Sequence, residues 1–391
     1  MNILVMDWPA FGQETIKKVF AELGHTVYAM VFPHDSSEAG NGELLCRSIA
    51  EKILETKADA VFSFNFFPVI AMAAQAGRAK YISWVYDNPA SYLYSMTVFF
   101  PGNYIFHFDS HEAERMRREG IEHAYYFPLA ANTEVYDGMQ PEEAQRQKYH
   151  ADIAMIGSLY GEKYAYFDKY IRFDEHLRGF LDGVVNAQEG LHGVNFLESV
   201  LSEEILKLIL NTVPLAGEAG DRYDTPAWKF ANYYLAMRVT EQERRHMLEA
   251  LSQHYDVALY TGSKVSGLER VRNMGSVEYY REAPIAMKCA KINLNITLRS
   301  IQTGIPLRVM DIMGCGGFVL SNYQEDLCRE FVPDEDFVYY ESIGDAVEKA
   351  AYYLEHDEER LRIAENGYRK VKRDHNFQRK CRQILAMVTE G

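Results

Sequence analysis

The residues best suited to chemistry lie near Pro306, in a segment that reads strand, loop, helix, strand. We expect Pro306 at the first position of the helix, where its fixed backbone and missing N–H are tolerated. A helix N-terminus offers free N–H groups and a positive dipole, both of which attract a phosphate. The dipole disfavours a cation in the first turn, so Arg308 at that position indicates that an anion lies beside it. The Asp311 carboxylate has two oxygens that could accept hydrogen bonds from the two hydroxyls of a ribose. The segment predicts a nucleotide site, the alternative being that both side chains are simply exposed.

Asp87 is the candidate general base. It follows the predicted strand 81–86 and precedes Asn88-Pro89, a turn that leaves the carboxylate at the carboxyl end of the strand. A carboxylate there can take the proton of a bound hydroxyl group, and the alternative is that it caps the next helix. Three residues in loops at strand ends could line the binding site for the molecule that carries this hydroxyl, called the acceptor side below: Gly12, Asn65 and Asn88.

No metal site is predicted. Asp334 and Asp336 form a D-x-D pattern, but it lies in a Pro-led acidic turn that we interpret as solvated. His107, Asp109 and His111 alternate along the chain, yet His111 falls in the next predicted helix, away from the other two. The sequence has neither G-x-G-x-x-G nor the spacing of a P-loop, which argues against a dehydrogenase or an NTPase.

Parallel sheets are the elements expected to bring these strand ends together. Short apolar runs alternate with amphipathic stretches, a pattern typical of βα units. The first part predicts strands at 2–6, 25–32, 60–64, 81–86, 104–108 and 124–127, and helices at 13–23, 43–57 and 110–119, the last capped by Ser110. The second part predicts strands at 152–156, 257–260, 277–280, 291–295, 317–321 and 337–340, with helices from 343 to 389.

This pattern predicts an α/β fold of two Rossmann-like domains that face a central cleft. The domains are expected at 1–140 and 151–375, separated by a polar linker at 130–150. A helical insertion occupies about 161–237 of the second domain. The tail is helical, and its last part, 376–391, could pack back on the first domain.

Composition limits the class of protein further. The chain has 391 residues, enough for two cores, and a net charge of −15, which argues against a nucleic-acid partner. From Gly262 to Arg308, however, eight basic residues stand against three acidic ones. The five cysteines are widely spaced and include no C-x-x-C pair, which is typical of a protein whose cysteines are reduced thiols. With neither a signal peptide nor a transmembrane segment in the sequence, we expect a cytoplasmic protein.

Several segments resemble one family in order along the chain. They are YISWVYDNPASYLYS (81–95), YIFHFDS (104–110), YYFPLAANTEVYD (125–137), DIAMIGSLYGEKY (152–164) and GIPLRVMDIMGCGGF (304–318). Together they resemble the CgeB-like (spore maturation protein) glycosyltransferases, which have the GT-B fold. The resemblance implies two Rossmann-like domains, a sugar nucleotide bound mainly by the second, and transfer that requires no metal.

The resemblance also implies roles for single residues. The turn Gly157-Ser158 would lie under the diphosphate, Arg308 would contact phosphate and Asp311 would hold the ribose. Better-studied retaining relatives carry two glutamates in an E-x7-E pattern, and Thr303 stands where the first would be, so the sugar contact and the stereochemistry stay open. The donor side is completed by four more residues: Tyr260, Thr261, Asn295 and Gly304.

The sequence therefore predicts a hexosyltransferase-type enzyme that moves a sugar from a nucleoside-diphosphate-sugar to a glycan, a protein or a surface component. The sugar nucleotide is a co-substrate, and no cofactor is expected. Two alternatives stay open. One is a sugar-nucleotide epimerase of the same fold, and the other is a non-catalytic nucleotide- or carbohydrate-binding protein of surface assembly.

Overall fold

The computed structural model describes residues 1–37, 39, 42–161, 172–213, 215 and 222–390. Within these, the chain divides into two compact units, each built on its own six-stranded parallel sheet. Unit 1 takes in residues up to Asn132, the described residues 222–224, and the chain from Asp374 onward. Unit 2 takes in the described residues between Thr133 and Arg373, apart from 222–224.

The regular elements follow one another in βα order. The strands are β1 (Asn2–Asp7), β2 (Thr26–Val31), β3 (Ala60–Phe64), β4 (Lys80–Val85), β5 (Asn103–His107), β6 (Ala124–Tyr126), β7 (Ala151–Ile156), β8 (Val257–Tyr260), β9 (Arg272–Gly275), β10 (Ala290–Asn295), β11 (Val319–Asn322) and β12 (Val338–Tyr340). The helices are α1 (Gln13–Glu22), α2 (Glu43–Thr56), α3 (Pro68–Gly77), α4 (Ser110–Arg118), α5 (Thr133–Asp137), α6 (Glu143–Tyr149), α7 (Glu175–Glu189), α8 (Glu203–Thr212), α9 (Pro226–Phe230), α10 (Ala236–Ser252), α11 (Ala283–Cys289), α12 (Leu307–Gly314), α13 (Glu325–Glu330), α14 (Ile343–Glu355), α15 (Asp357–Asp374) and α16 (Phe377–Glu390). Two 3-10 turns, Ser91–Tyr94 and Met96–Phe99, precede β5, and a π turn, Ala231–Leu235, joins α9 to α10.

The sheet of unit 1 has the strand order β2-β1-β3-β4-β5-β6. Its central strands are buried on both faces: every residue of β3 and β5 is buried. The order reverses between β1 and β3, which pair through Ile3 and Ala60. In open parallel sheets, ligands bind beyond the carboxyl ends of the strands at such a reversal.

The C-terminal helix α16 belongs to unit 1 and packs on α1. The side chain of Phe377 meets the ring of Trp84 with 5.9 Å between centroids, and Ile384 is fully buried. The Lys80 ammonium, from the first residue of β4, donates to the carbonyl of Val388 at 2.6 Å. The last helix is therefore part of the core of the first sheet.

The sheet of unit 2 has the order β12-β11-β10-β7-β8-β9, which is the Rossmann order. Its reversal lies between β7 and β10, which pair through Ile153 and Ile292. The described part of the predicted insertion is helical, with α7 packed on α10 and a hydrophobic cluster of its own. Three parts of the predicted insertion, 162–171, 214 and 216–221, lie outside the described residues.

Several local predictions were wrong. The strand expected at 277–280 is a turn, because β9 ends at Gly275, whose φ of 73° is in the left-handed region. Helix α4 is capped by Asp109, not Ser110: the Asp109 carboxylate accepts from the His111 N–H at 3.0 Å. Pro306 is the N-cap of α12, and the helix itself begins at Leu307.

Other elements were not predicted at all. Helix α3 lacks an amphipathic period because it is apolar around most of its surface, and six of its seven residues from Pro68 to Ala74 are buried. The predicted linker 130–150 contains α5 and α6. The second of these is stabilised by a capping box in which Glu142 and Gln145 satisfy each other's backbone N–H groups.

Candidate functional site

The reversal between β7 and β10 places Gly157 and Ser158 after the first of these strands and Asn295 at the end of the second. Arg244, on α10, links the two strand ends. Its guanidinium donates to the carbonyl oxygens of Ser158 and Ile296, and the residue is only 8% exposed. Arg244 was not predicted, since nothing in the sequence ties a helix residue so far along the chain to these loops.

A pocket of about 400 Å³ opens beside this turn. It brings together four residues predicted from the sequence: Gly157, Ser158, Tyr260 and Thr261. It is also lined by residues that were not predicted: Ile156, Gly262, Ser263, Ser276 and Val277. The hydroxyl of Ser263 accepts from the Leu159 N–H at 3.0 Å, which fixes the loop after β7 against the loop after β8. The strand-end argument would have found Ser276 had β9 been placed correctly.

Helix α12 presents Arg308 in its first turn. The Arg308 guanidinium carbon lies 5.6 Å from the centre of the Tyr279 ring, within the range of a cation–π contact. Its Nη1 atom is buried and has no hydrogen-bond partner among the described residues. A buried guanidinium N–H without a partner is costly, so this atom is a suitable donor for a bound anion.

Asp311 lies one turn further along α12 and is 3% exposed. Tyr136 donates its hydroxyl hydrogen to Oδ1 at 2.8 Å, and Tyr279 donates to Oδ2. Burial raises the pKa of Asp311, against the opposing influence of Arg308 and the two tyrosines. Both oxygens are thus engaged within unit 2, and the ribose contact stays a prediction. The two tyrosines were missed because they come from α5 and from the turn wrongly assigned to a strand.

The loop between β10 and α12 carries the other predicted donor residues. The amide of Asn295 is buried and donates to the hydroxyls of Thr297 and Ser321, at 3.0 and 2.9 Å. The carbonyls of Thr303 and Gly304 accept from residues of the segment around α13, namely the Asp326 N–H at 3.0 Å and the Gln324 amide at 3.2 Å. These bonds give all three residues a structural role in shaping the loop, and their contact with a donor stays a prediction.

In unit 1, Asp87 and Asn65 lie in direct contact. The Asn65 amide donates to the Asp87 carboxylate at 2.6 Å, and its Oδ1 accepts from the N–H groups of Tyr86 and Asp87, at 2.8 and 3.1 Å. Asn65 holds a left-handed conformation, φ 58°, which Asn tolerates better than most residues. The structure therefore makes Asn65 the residue that fixes the turn carrying Asp87.

The remaining acceptor-side residues have mainly structural contacts. Gly12 has φ 76°, and a Cβ there would lie 2.3 Å from the Phe377 ring, so the close approach of α16 requires glycine. Asn88 donates to the Asp109 carboxylate at 3.4 Å. Neither contact shows an acceptor, and both assignments stay predictions.

The described residues hold no group of three or more His, Cys, Asp or Glu side chains arranged to hold a metal ion. In the His107 to His111 segment, the His107 Nδ1 accepts from the Asp109 N–H at 3.0 Å. No helix in the described part of the chain is both long enough and apolar enough to cross a membrane.

Residues 241–386 match a protein-family model described as glycosyl transferase-like. The matched range holds Arg244, Tyr260, Arg308 and Asp311, and it covers less than half of the chain. No functionally curated protein matches the sequence.

Solved structures resemble the whole chain. A glycosyltransferase from Rickettsia africae ESF-5 aligns with a TM-score of 0.55 at 11% identity, covering 100% of this chain and 98% of its own. Sucrose-phosphate synthase from Thermosynechococcus elongatus aligns with a TM-score of 0.57 at 10% identity, covering 100% of this chain and 98% of its own. HepE from Anabaena, solved in complex with UDP and glucose, aligns with a TM-score of 0.54 at 11% identity, covering 100% of both chains. These likenesses confirm the predicted fold class: two Rossmann-like parallel-sheet domains as in GT-B glycosyltransferases, with a C-terminal helical tail.

Proposed function

We propose that this protein is a glycosyltransferase that transfers a sugar, of the hexosyl type, from a nucleoside-diphosphate-sugar to an acceptor held by unit 1. The matched family range lies mostly in unit 2, where the donor residues were predicted. The Anabaena structure that shares this fold was solved with UDP and glucose, which supports the same class of donor here. We further propose a CgeB-like protein and metal-independent transfer, both on the sequence resemblance.

The observation that carries the proposal is the cation at the start of α12. Arg308 keeps a buried, unpartnered Nη1 atom among the described residues, and the pocket beside Gly157 and Ser158 lies at the carboxyl edge of the same sheet. In the proposed mechanism, Arg308 and the backbone N–H groups of these loops stabilise the charge that develops on the departing diphosphate. Such a donor set can supply the electrostatic stabilisation that a metal supplies in other transferases.

For an inverting reaction, Asp87 is the proposed base. It would take the proton of the acceptor hydroxyl as the new glycosidic bond forms and the bond to the diphosphate breaks. The Asn65 amide, 2.6 Å from its carboxylate, holds the base in one orientation.

A thermal-shift screen against UDP, GDP, CDP and dTDP tests the donor site, since a ligand that binds only the native state raises its apparent stability. We expect one of them to stabilise the wild type. Arg308→Ala should weaken that nucleotide about 10- to 100-fold, the value of a charge-assisted hydrogen bond of about 1.5–3 kcal/mol. Arg270→Ala is the matched control, an exposed arginine whose guanidinium meets Gln253. If none of the four nucleotides stabilises the wild type, the proposed function is wrong.

Turnover separates transfer from the alternatives. Release of nucleoside diphosphate only when acceptor is present supports a transferase. Isomerised sugar nucleotide without acceptor would instead identify an epimerase, and tight binding without turnover would identify a binding protein.

A further inference from the structure

A buried carboxylate on α12 joins two tyrosines from distant parts of unit 2. Asp311 is 3% exposed and accepts hydroxyl hydrogen bonds from Tyr136, on α5, and Tyr279, in the turn after β9. Helix α12 is thus tied to both segments at one point. A buried polar network whose members are satisfied is rigid, and the cation on the same helix is Arg308.

The Tyr279 side chain contacts both the carboxylate and that cation. Its hydroxyl meets Asp311, while the Arg308 guanidinium carbon lies 5.6 Å from its ring centre. Arg308 and Asp311 are three residues apart and therefore neighbours on one helix face. The ring restricts where the long Arg308 side chain can lie, and the Nη1 atom is left buried without a hydrogen-bond partner among the described residues.

The turn that carries Tyr279 is held by hydrogen bonds of its own. The Glu278 carboxylate accepts from the N–H groups of Tyr280 and Arg281, at 3.0 and 2.7 Å. Ser276 and Val277, just before it, line the pocket beside Gly157 and Ser158. One short segment therefore reaches from the pocket to the partner of Arg308.

Both tyrosines keep their protons at neutral pH. Burial, and next the charge of Asp311, raise the pKa of Tyr279 and of Tyr136 well above the ordinary value. Each therefore acts as a hydrogen-bond donor to the carboxylate.

We infer that Tyr279 is a positioning residue for the diphosphate: Asp311 fixes its hydroxyl, and its ring holds the Arg308 guanidinium against the phosphates. This inference rests on the proposed function and deepens it. It gives Asp311 an indirect role, through Tyr279, in place of a direct contact with the ribose.

The test uses two probes on the full chain. One is the nucleoside diphosphate that stabilises the wild type in the screen above, and the other is the matching nucleoside, which has no phosphates for Arg308 to hold. Tyr279→Leu removes ring and hydroxyl, Tyr279→Phe removes only the hydroxyl, and Tyr280→Phe is the matched control at an exposed neighbour in the same turn.

We expect Tyr279→Leu to weaken the diphosphate about three- to tenfold, the value of a cation–π contact, while affinity for the nucleoside is unchanged. Tyr279→Phe should have a smaller effect in the same direction, and Tyr280→Phe none. In transfer assays the KM for the donor should rise and kcat should fall as well, because Arg308 is proposed to stabilise the charge that develops on the departing diphosphate. Because Tyr279 acts through Arg308, Tyr279→Leu should add less than twofold in the Arg308→Ala background.

Three results would overturn the inference while leaving the proposed function intact. Tyr279→Leu could leave the affinity for the diphosphate unchanged, or it could lower the affinity for the nucleoside by the same factor. It could also lower the affinity for the diphosphate by the same factor in the Arg308→Ala background as in the wild type. A direct ribose contact makes a different prediction. Asp311→Asn would then abolish the preference for the ribonucleotide over its 2′-deoxy analogue, whereas an anchoring role leaves that preference as in the wild type. Failure of the wild type to bind any of the four diphosphates instead refutes the proposed function itself.

Discussion

At the scale of single residues, the basic segment from Gly262 to Arg308 has several unrelated roles. Three of its cations pair with carboxylates from elsewhere in unit 2: Lys291 with Asp152, Arg272 with Asp256, and Arg299 with Glu243. Arg308 differs from these three in that the described residues leave its Nη1 atom unpartnered. A local excess of positive charge in the sequence could therefore point to the segment that contains Arg308, but it could not show which of its cations form ion pairs, because the partners come from distant positions.

The buried residue His107 makes the free energy of unfolding depend on pH. Burial lowers the pKa of His107 to about 4, from an ordinary value of 6.5. Below pH 6.5 the unfolded chain gains a proton at this site that the folded chain does not take up until about pH 4, so acidification lowers the free energy of unfolding across this window.

His107→Asn should remove this dependence while keeping an acceptor for the Asp109 N–H. Between pH 7 and pH 5 we expect the wild type to lose roughly 2 kcal/mol more stability than the variant. Urea unfolding at the two pH values measures the difference, with hydrogen exchange in peptides of unit 1 as the probe of unfolding. Equal losses in both proteins would show that His107 does not titrate in this way.

At the scale of elements, each sheet has a side chain that ties neighbouring strand ends together. Arg244 links the ends of β7 and β10, and Asn65 links the ends of β3 and β4. The strand-end argument predicted Asn65 because it follows β3 directly in sequence. Arg244 lies on a helix that follows the insertion, so its proximity to Ser158 depends on tertiary packing that no local pattern records.

Asn65→Gly tests whether this link serves catalysis. Glycine accepts the left-handed backbone, so the variant removes the side-chain bonds without adding strain. If Asp87 is the base, we expect kcat to fall about 10- to 100-fold, the range seen when a catalytic group is misplaced, with an unchanged KM for the donor. Acceptor-dependent release of nucleoside diphosphate measures both parameters.

Asp87→Asn is the reference variant for this experiment and should be nearly inactive. If Asp87→Asn is inactive while Asn65→Gly keeps full turnover, Asn65 does not position the base. If Asp87→Asn itself transfers sugar at the wild-type rate, Asp87 is not the base, and the donor assignment to Arg308 is unaffected.

At the scale of the whole molecule, the sequence predicts the fold class well because βα alternation is a local property. The predicted strand positions agree with the structure within two residues for every strand except β9. What the sequence could not predict is that a short piece of the predicted insertion completes unit 1. Residues 222–224 fall in the predicted insertion of the second domain, yet Tyr223 packs on Tyr94 with 5.3 Å between ring centroids and belongs to unit 1. Such pairings depend on contacts between segments far apart in sequence.

The C-terminal helix is another distant segment of unit 1, and the sequence analysis expected 376–391 to pack back on the first domain. Ile384 is fully buried in unit 1, on the helix that packs on α1. Ile384→Ala removes three methyl or methylene groups from this core and should lower the stability of unit 1 by about 2–4 kcal/mol. The neighbouring Gln383 is exposed, so Gln383→Ala is a matched control on the same helix and should change stability by less than about 0.5 kcal/mol. Hydrogen exchange in mild urea gives the measurement peptide by peptide: peptides of β1, α1 and β4 should lose protection in Ile384→Ala. Loss confined to peptides of β10 and α12 would contradict the assignment of the last helix to unit 1, since those elements belong to unit 2.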